Sequence, residues 1–173
     1  MSIQKAPSQP GCNWIERCIE ACDGRSVFVE ENGVRATFAN PSRRRIRKIH
    51  YDGCFNKNSK ELKADYILGL PDVLDVIVEL KGSDLKHARD QVEVTLDRWR
   101  TNPFRFQRIV CLIVYGRLEG KQRKAGRIPC MSSTIQSLER AFLRTNRTLL
   151  RICESSSVQF IFDDSLRKSD ASR

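Results

Sequence analysis

KADYILGLPDVLDVIVELKGSDLKHARDQVEVTL, residues 63–96, holds two apolar runs parted by a Pro-Asp turn, then a change of period. Side chains alternate along an extended chain, so Leu62, Ala64, Tyr66, Leu68 and Leu70 fall on one face and Lys63, Asp65 and Ile67 on the other. The second run, Leu74–Lys81, puts Leu74, Val76, Val78 and Leu80 on one side and Asp75, Ile77, Glu79 and Lys81 on the other. From Asp84 to Trp99 the spacing turns helical, with Leu85, Ala88, Val92, Thr95, Leu96 and Trp99 on one stripe and Ser83 or Asp84 as the N-cap. Strand, turn, strand and helix in succession predict a sheet packed on a helix.

Upstream, Val34–Phe38 and Ile46–Phe55 read as further short strands, which with the two above make an antiparallel meander. Before them, Trp14, Ile15, Cys18, Ile19 and Cys22 recur at helical spacing, and Gly24 is a natural stop, predicting a first helix over Cys12–Asp23. Downstream, the continuous apolar run Ile109–Tyr115 predicts a central strand buried on both faces. Residues 116–131 form a basic, Gly-containing loop. Ser133 then caps a helix reaching Asn146, with Ile135, Leu138, Ala141, Phe142 and Thr145 inward, and Thr148–Cys153 and Val158–Phe162 are short closing strands. The expected organisation is one domain over 11–165, with loose segments at 1–10 and 166–173.

With 173 residues, 40% of them hydrophobic and 30% charged, the chain matches an ordinary globular protein, and no apolar run is long enough to span a bilayer. No apolar stretch backs the single Lys of MSIQKAPSQPGCN, so the expected address is cytoplasmic. Seven cysteines with no C-x-x-C pair argue against zinc and are expected to be reduced. A net charge of +10 and a pI near 9.6 favour a polyanionic partner, nucleic acid foremost, against the alternative of a basic surface kept for solubility.

A hairpin joining the two strands of the opening stretch brings Asp65 beside Glu79. Two close carboxylates repel unless a cation or shared proton compensates, and Mg²⁺, which takes hard oxygen ligands, suits such a pair. Lys81 shares the face of Glu79, where its charge can activate a water and stabilise developing charge on phosphate. A solvated cross-strand charge cluster is the competing explanation.

The stretch resembles the PD-(D/E)XK nuclease superfamily, which includes restriction endonucleases and Holliday-junction resolvases, and the likeness runs from about Cys12 to Tyr115. The resemblance implies an α/β, restriction-endonuclease-like αβββαβ core: a mixed central sheet flanked by helices, followed by a C-terminal helix and short strands. It makes Asp65 the first acid, Glu79 the second and Lys81 the lysine of the motif, with Ala64 standing where many members have Pro. It implies Mg²⁺, with Mn²⁺ as substitute, held by Asp65, Glu79 and the backbone carbonyl of Leu80. Gln91, whose counterpart on the following helix often faces the site, is a further catalytic candidate or else a surface amide. Glu16 and Glu20 are expected to be solvated, and Asp52 is a turn former or a third acid.

Arg43, Arg44, Arg45, Arg47 and Lys48 are the expected nucleic-acid-binding run, and Lys121, Arg123, Lys124 and Arg127 are either a second phosphate contact or a solvated edge. His50 and His87 have no partners at catalytic spacing. The expected function is Mg²⁺-dependent hydrolysis of phosphodiester bonds, in DNA, with a homodimer or partner subunit for cutting both strands. The alternative is a non-catalytic nucleic-acid-binding or assembly subunit.

Overall fold

A computed structural model describes residues 18–55, 60–81, 84–106, 108–116, 133–154 and 158–161. The most apolar stretch, Leu74–Lys81, forms strand β6, buried from Leu74 to Leu80 because both of its faces are covered. Tyr66–Leu70 is β5, folded back on β6 as an antiparallel hairpin whose turn residue Asp72 takes φ +60°. Ile46–His50, β4, pairs antiparallel with β5. Leu85–Arg100 forms helix α1, and the chain re-enters the sheet as β7, Arg108–Tyr115, parallel to β6, as a helical crossover requires. Ser133–Asn146 forms α2 and leads into β8, Leu149–Glu154, parallel to β7.

The outcome is an α/β fold with a mixed six-stranded sheet, in the order β1-β4-β5-β6-β7-β8, where β1 is Ile19–Cys22. A second sheet, β2-β3-β9, is built from Ser26–Glu31, Val34–Ala39 and Val158–Ile161. Its β2–β3 turn uses Asn32 and Gly33 at φ +48° and +78°, the positive values that a two-residue hairpin demands. Val27, Val29, Val34, Ala36 and Phe38 of the small sheet pack on Leu68, Leu70, Val76 and Val78. On the opposite face Ala88, Val92, Leu96 and Trp99 of α1 and Ile135 and Phe142 of α2 pack on Ile67, Ile77, Cys111 and Ile113.

Several expectations need correction. Ile19–Cys22 is a strand, paired antiparallel with β4. Because both sheet faces are covered, Ile19 packs on the helical side and Cys22 on the small-sheet side, so a spacing of three that mimics a helix is satisfied by an extended chain. The remainder of the expected first helix, 12–17, lies outside the described residues. The strand β2 was not anticipated. The first run of the hairpin is extended as a sheet strand only from Tyr66; Leu62 is exposed, and Ala64 turns to the helical side, where its amide donates to Thr95 Oγ1 at 2.8 Å. The Ile46–Phe55 strand stops at His50, and Tyr51–Phe55 is a π-helical turn. Among the described residues, helices pack on one face of the central sheet and the small sheet on the other, where helices were expected on both. Cys18 and Cys54, expected to be reduced, form a disulfide, with Cα atoms 5.4 Å apart, while Cys22 and Cys111 remain thiols. The expected basic loop 116–131, except for Gly116, and the terminal segments 1–10 and 166–173 lie outside the described residues. Among the described residues no helix is long and apolar enough to cross a membrane.

Candidate metal-binding and catalytic site

The β5–β6 pairing matches Tyr66 with Val78, and one further step sets Asp65, just before β5, opposite Glu79 near the end of β6. The end of β4 fixes that position from the other side, where the amide of Tyr51 donates to the Asp65 carbonyl at 2.9 Å. The Asp65 carboxylate accepts from the Leu80 amide at 2.8 Å. A strand residue directs its N–H and C=O to the same edge, so the Leu80 carbonyl also faces the side of Asp65.

Glu79 is 1% exposed. One carboxylate oxygen lies 3.5 Å from Lys81 Nζ; the other, Oε2, is buried with no hydrogen-bond partner among the described residues. Lys81 Nζ donates to Gln91 Oε1 at 2.8 Å, and Gln91 Nε2 donates to the Lys63 carbonyl at 2.8 Å, so α1 ties the lysine to the segment that delivers Asp65. Burial pushes the Asp65 carboxyl up to about 6 despite the Leu80 amide, with Glu31 adding repulsion and Lys81 opposing it. Glu79 is pushed up to about 8, first by burial and then by the charge of Asp65, against the pull of Lys81.

Two buried, mutually destabilised carboxylates and an orphaned carboxylate oxygen fit a hard divalent cation. Asp65 and Glu79 supply anionic oxygens, and the carbonyl of Leu80 faces the same side. Among the described residues no cluster of three or more His, Cys, Asp or Glu side chains is gathered to hold a metal. The candidate donors are two carboxylates and one backbone carbonyl, a set that suits an ion that also takes substrate phosphate and water.

Asp65, Glu79, Lys81 and Gln91 come together. Asp52 belongs to the π-helical turn and pairs with Lys63 at 2.9 Å. Glu20 is a solvated partner of Lys48 on the strand edge, at 2.7 Å, and Glu16 lies outside the described residues. His50 stacks on Tyr66 with ring centroids 4.9 Å apart, and the His87 amide donates to the N-cap Asp84. Lys63 and Glu31 were missed as neighbours of the site. Lys63 alternates with the apolar residues around it, and Glu31 belongs to the unanticipated β2, although its Asn-Gly turn signals a hairpin.

The basic run divides. Arg47 donates to Asp75 Oδ1 at 3.3 Å and to the Phe104 carbonyl at 2.5 Å, with its guanidinium over the Phe106 ring, and Lys48 is held by Glu20. Arg44 donates to the Pro71 carbonyl at 2.9 Å, whereas Arg43 and Arg45 are exposed. The register places Arg47 at the level of Gly69 and Asp75, four residues and about 14 Å along β6 from Glu79. The run thus sits at the other end of the sheet from the carboxylates. Lys121, Arg123, Lys124 and Arg127 lie outside the described residues.

Comparisons of this chain with protein-family models, with curated proteins and with solved structures found no match.

Proposed function

We propose that the chain is a Mg²⁺-dependent nuclease that hydrolyses phosphodiester bonds in DNA, built on a restriction-endonuclease-like variant of the α/β fold. The observation that carries this reading is Asp65 opposite Glu79 in a buried site where Glu79 Oε2 has no hydrogen-bond partner among the described residues and Lys81 adjoins. The succession of antiparallel β4-β5-β6, then α1, then β7 parallel to β6 supports it, since that is the order the superfamily resemblance implies.

Asp65, Glu79 and the Leu80 carbonyl are the groups that would hold Mg²⁺ or its substitute Mn²⁺. When bound, the ion supplies charge neutralisation and a Lewis acid for phosphate. Lys81, held by Gln91, presents a cation where a water attacks phosphorus and where charge gathers on phosphate oxygens. Gln91 acts through Lys81. The cytoplasmic address belongs to the same proposal; the Cys18–Cys54 disulfide is its discordant feature, since such bonds are rare in reducing compartments.

The second reading, a non-catalytic nucleic-acid-binding or assembly subunit, is favoured by one observation. Lys81 stands 3.5 Å from Glu79 and already offers a counter-charge. Linear, branched and single-stranded DNA incubated with Mg²⁺, Mn²⁺ or EDTA distinguish the two. Metal-dependent cleavage by the wild type that is lost in Glu79→Ala is the expected result. Binding without cleavage in any metal would overturn the nuclease.

A further inference from the structure

At the end of the main sheet remote from Glu79, the connecting segments carry arginine on almost every crossing. Arg25 lies between β1 and β2, Arg43 and Arg45 between β3 and β4, Arg105 between α1 and β7, and Arg147 between α2 and β8. All five are exposed, and none forms an ion pair among the described residues. The acids on these crossings are Asp23 and Asp72. Near the carboxylate site, by contrast, Lys63 and Lys81 are each engaged with an acid.

These segments are built to hold shape. Asn40 is fully buried and spends its side chain on two of them. Its Nδ2 donates to the Gly24 and Arg44 carbonyls at 3.0 and 2.7 Å, and its Oδ1 accepts from the Arg44 amide at 3.0 Å. Asp75, also fully buried, anchors the segment bearing Arg105 by accepting from the Phe106 amide at 2.7 Å, while Arg47 of β4 grips the Phe104 carbonyl. Burying such polar groups costs free energy unless every bond is made, so fixed backbone beneath exposed cations is the gain. Six strands at the usual spacing spread the arginines over roughly 24 Å, enough for several phosphates of one nucleic-acid segment.

We propose that this arginine-bearing pole is a preorganised phosphate-binding surface for nucleic acid, separate from the Asp65–Glu79 site. The choice of nucleic acid as occupant rests on the nuclease reading; the surface itself rests on the charge and the anchoring of the segments. A bound strand is then gripped at one end of the domain while the carboxylates act at the other.

The test uses the full chain in a Glu79→Gln background with EDTA, so that hydrolysis plays no part, and labelled duplex DNA followed by anisotropy over a range of salt. Replacing Arg25, Arg105 and Arg147 together by Gln is expected to weaken binding at least tenfold at low salt and to make the salt slope shallower by about 0.9 per lost phosphate contact. The same three positions changed to Lys are expected to keep most of the affinity. Should the Gln triple melt early, Arg105→Gln alone against Arg105→Lys gives the same comparison. Unchanged affinity and slope in the Gln variants would overturn the proposal. So would displacement of DNA by polyglutamate as readily as by unlabelled duplex, which would reassign the pole to an acidic protein. Failure of wild-type cleavage leaves these binding results standing, and failure of the pole leaves cleavage standing.

Discussion

Gln91 bridges Lys81 and the chain entering β5: its Oε1 accepts from Lys81 Nζ at 2.8 Å while its Nε2 donates to the Lys63 carbonyl at 2.8 Å. A lysine side chain is long and costly to immobilise, about 2 kcal/mol in rotamer entropy, and Gln91 supplies the fixed acceptor that holds this one beside Glu79. Gln91→Ala is expected to lower kcat about 10–100-fold, in the range seen when groups supporting a metal site are lost, with KM little changed. Steady-state cleavage in Mg²⁺ measures this. An unaltered kcat would reduce Gln91 to a surface amide.

Asp65→Ala and Glu79→Ala should each abolish metal-dependent cleavage, because each removes an anionic oxygen that positions the ion. Lys81→Ala should lose most turnover and still bind metal. The discriminating measurement is the rise in melting temperature on adding Mg²⁺. It is expected in the wild type and in Lys81→Ala and absent from the two acid variants. A full Mg²⁺ response in Glu79→Ala would remove that residue from the ligand set.

The parts of the fold legible in sequence are those whose period is long and whose ends are marked. Leu74–Lys81 is a strand over its expected length, and α1 is shifted by one residue from the expected Asp84–Trp99, with Asp84 as its cap. Asp65, Glu79 and Lys81 were brought together by strand alternation and the hairpin joining the two runs, and the β5–β6 register, carried one residue beyond β5, keeps Asp65 opposite Glu79. Short elements were misread where tertiary packing overrides local pattern. Ile19–Cys22 has apolar spacing that fits either a helix or a strand covered on both faces, and only pairing with β4 decides. The Cys18–Cys54 bond joins residues 36 apart in sequence, which spacing does not reveal. Lys63 with Asp52, and the arginines at 25, 105 and 147, are scattered single residues that only topology gathers.

Asp75 looks peripheral in sequence because it faces away from Val76 and Val78, and on that basis Asp75→Asn is expected to be mild and Val78→Asp severe. The structure changes the first expectation. Asp75 is fully buried and accepts from Trp99 Nε1 at 2.8 Å, the Phe106 amide at 2.7 Å and Arg47 at 3.3 Å. A Cβ on Gly69 would come within 2.8 Å of its carboxylate, so the glycine makes room for the network. Asp75→Ala should cost about 2–5 kcal/mol, because the Trp99 indole and the Phe106 amide lose their acceptor and the partly buried Arg47 loses its counter-charge. Asp75→Asn should cost about 1–3 kcal/mol, since one acceptor becomes a donor facing donors. Val78→Asp, which buries an unpaired carboxylate between the sheets, should equal or exceed the first. Urea unfolding of the three variants checks the order. Wild-type stability in Asp75→Ala would sink the proposed anchoring.

The raised carboxyls at the site predict how stability should follow pH. Glu79 titrates near 4.5 in an unfolded chain and is pushed up to about 8 in the fold by burial and by the Asp65 charge. Between those values the unfolded chain has released a proton that the folded chain keeps, so stability falls as pH rises, by about 1.4 kcal/mol per unit for this group. Asp65, moved from 3.8 to about 6, adds loss of the same sign over its own window. The contribution is fully present below the unfolded values and gone once pH has passed the folded ones. Metal-free protein is therefore expected to weaken steadily from pH 4.5 to pH 8, Glu79→Gln to flatten much of that slope, and excess Mg²⁺ to restore stability at the alkaline end by binding the ionised pair. Urea unfolding at a series of pH values, with and without Mg²⁺, reads all three. A wild-type profile as flat as that of Glu79→Gln would mean that burial beside Asp65 does not hold Glu79 protonated in the fold.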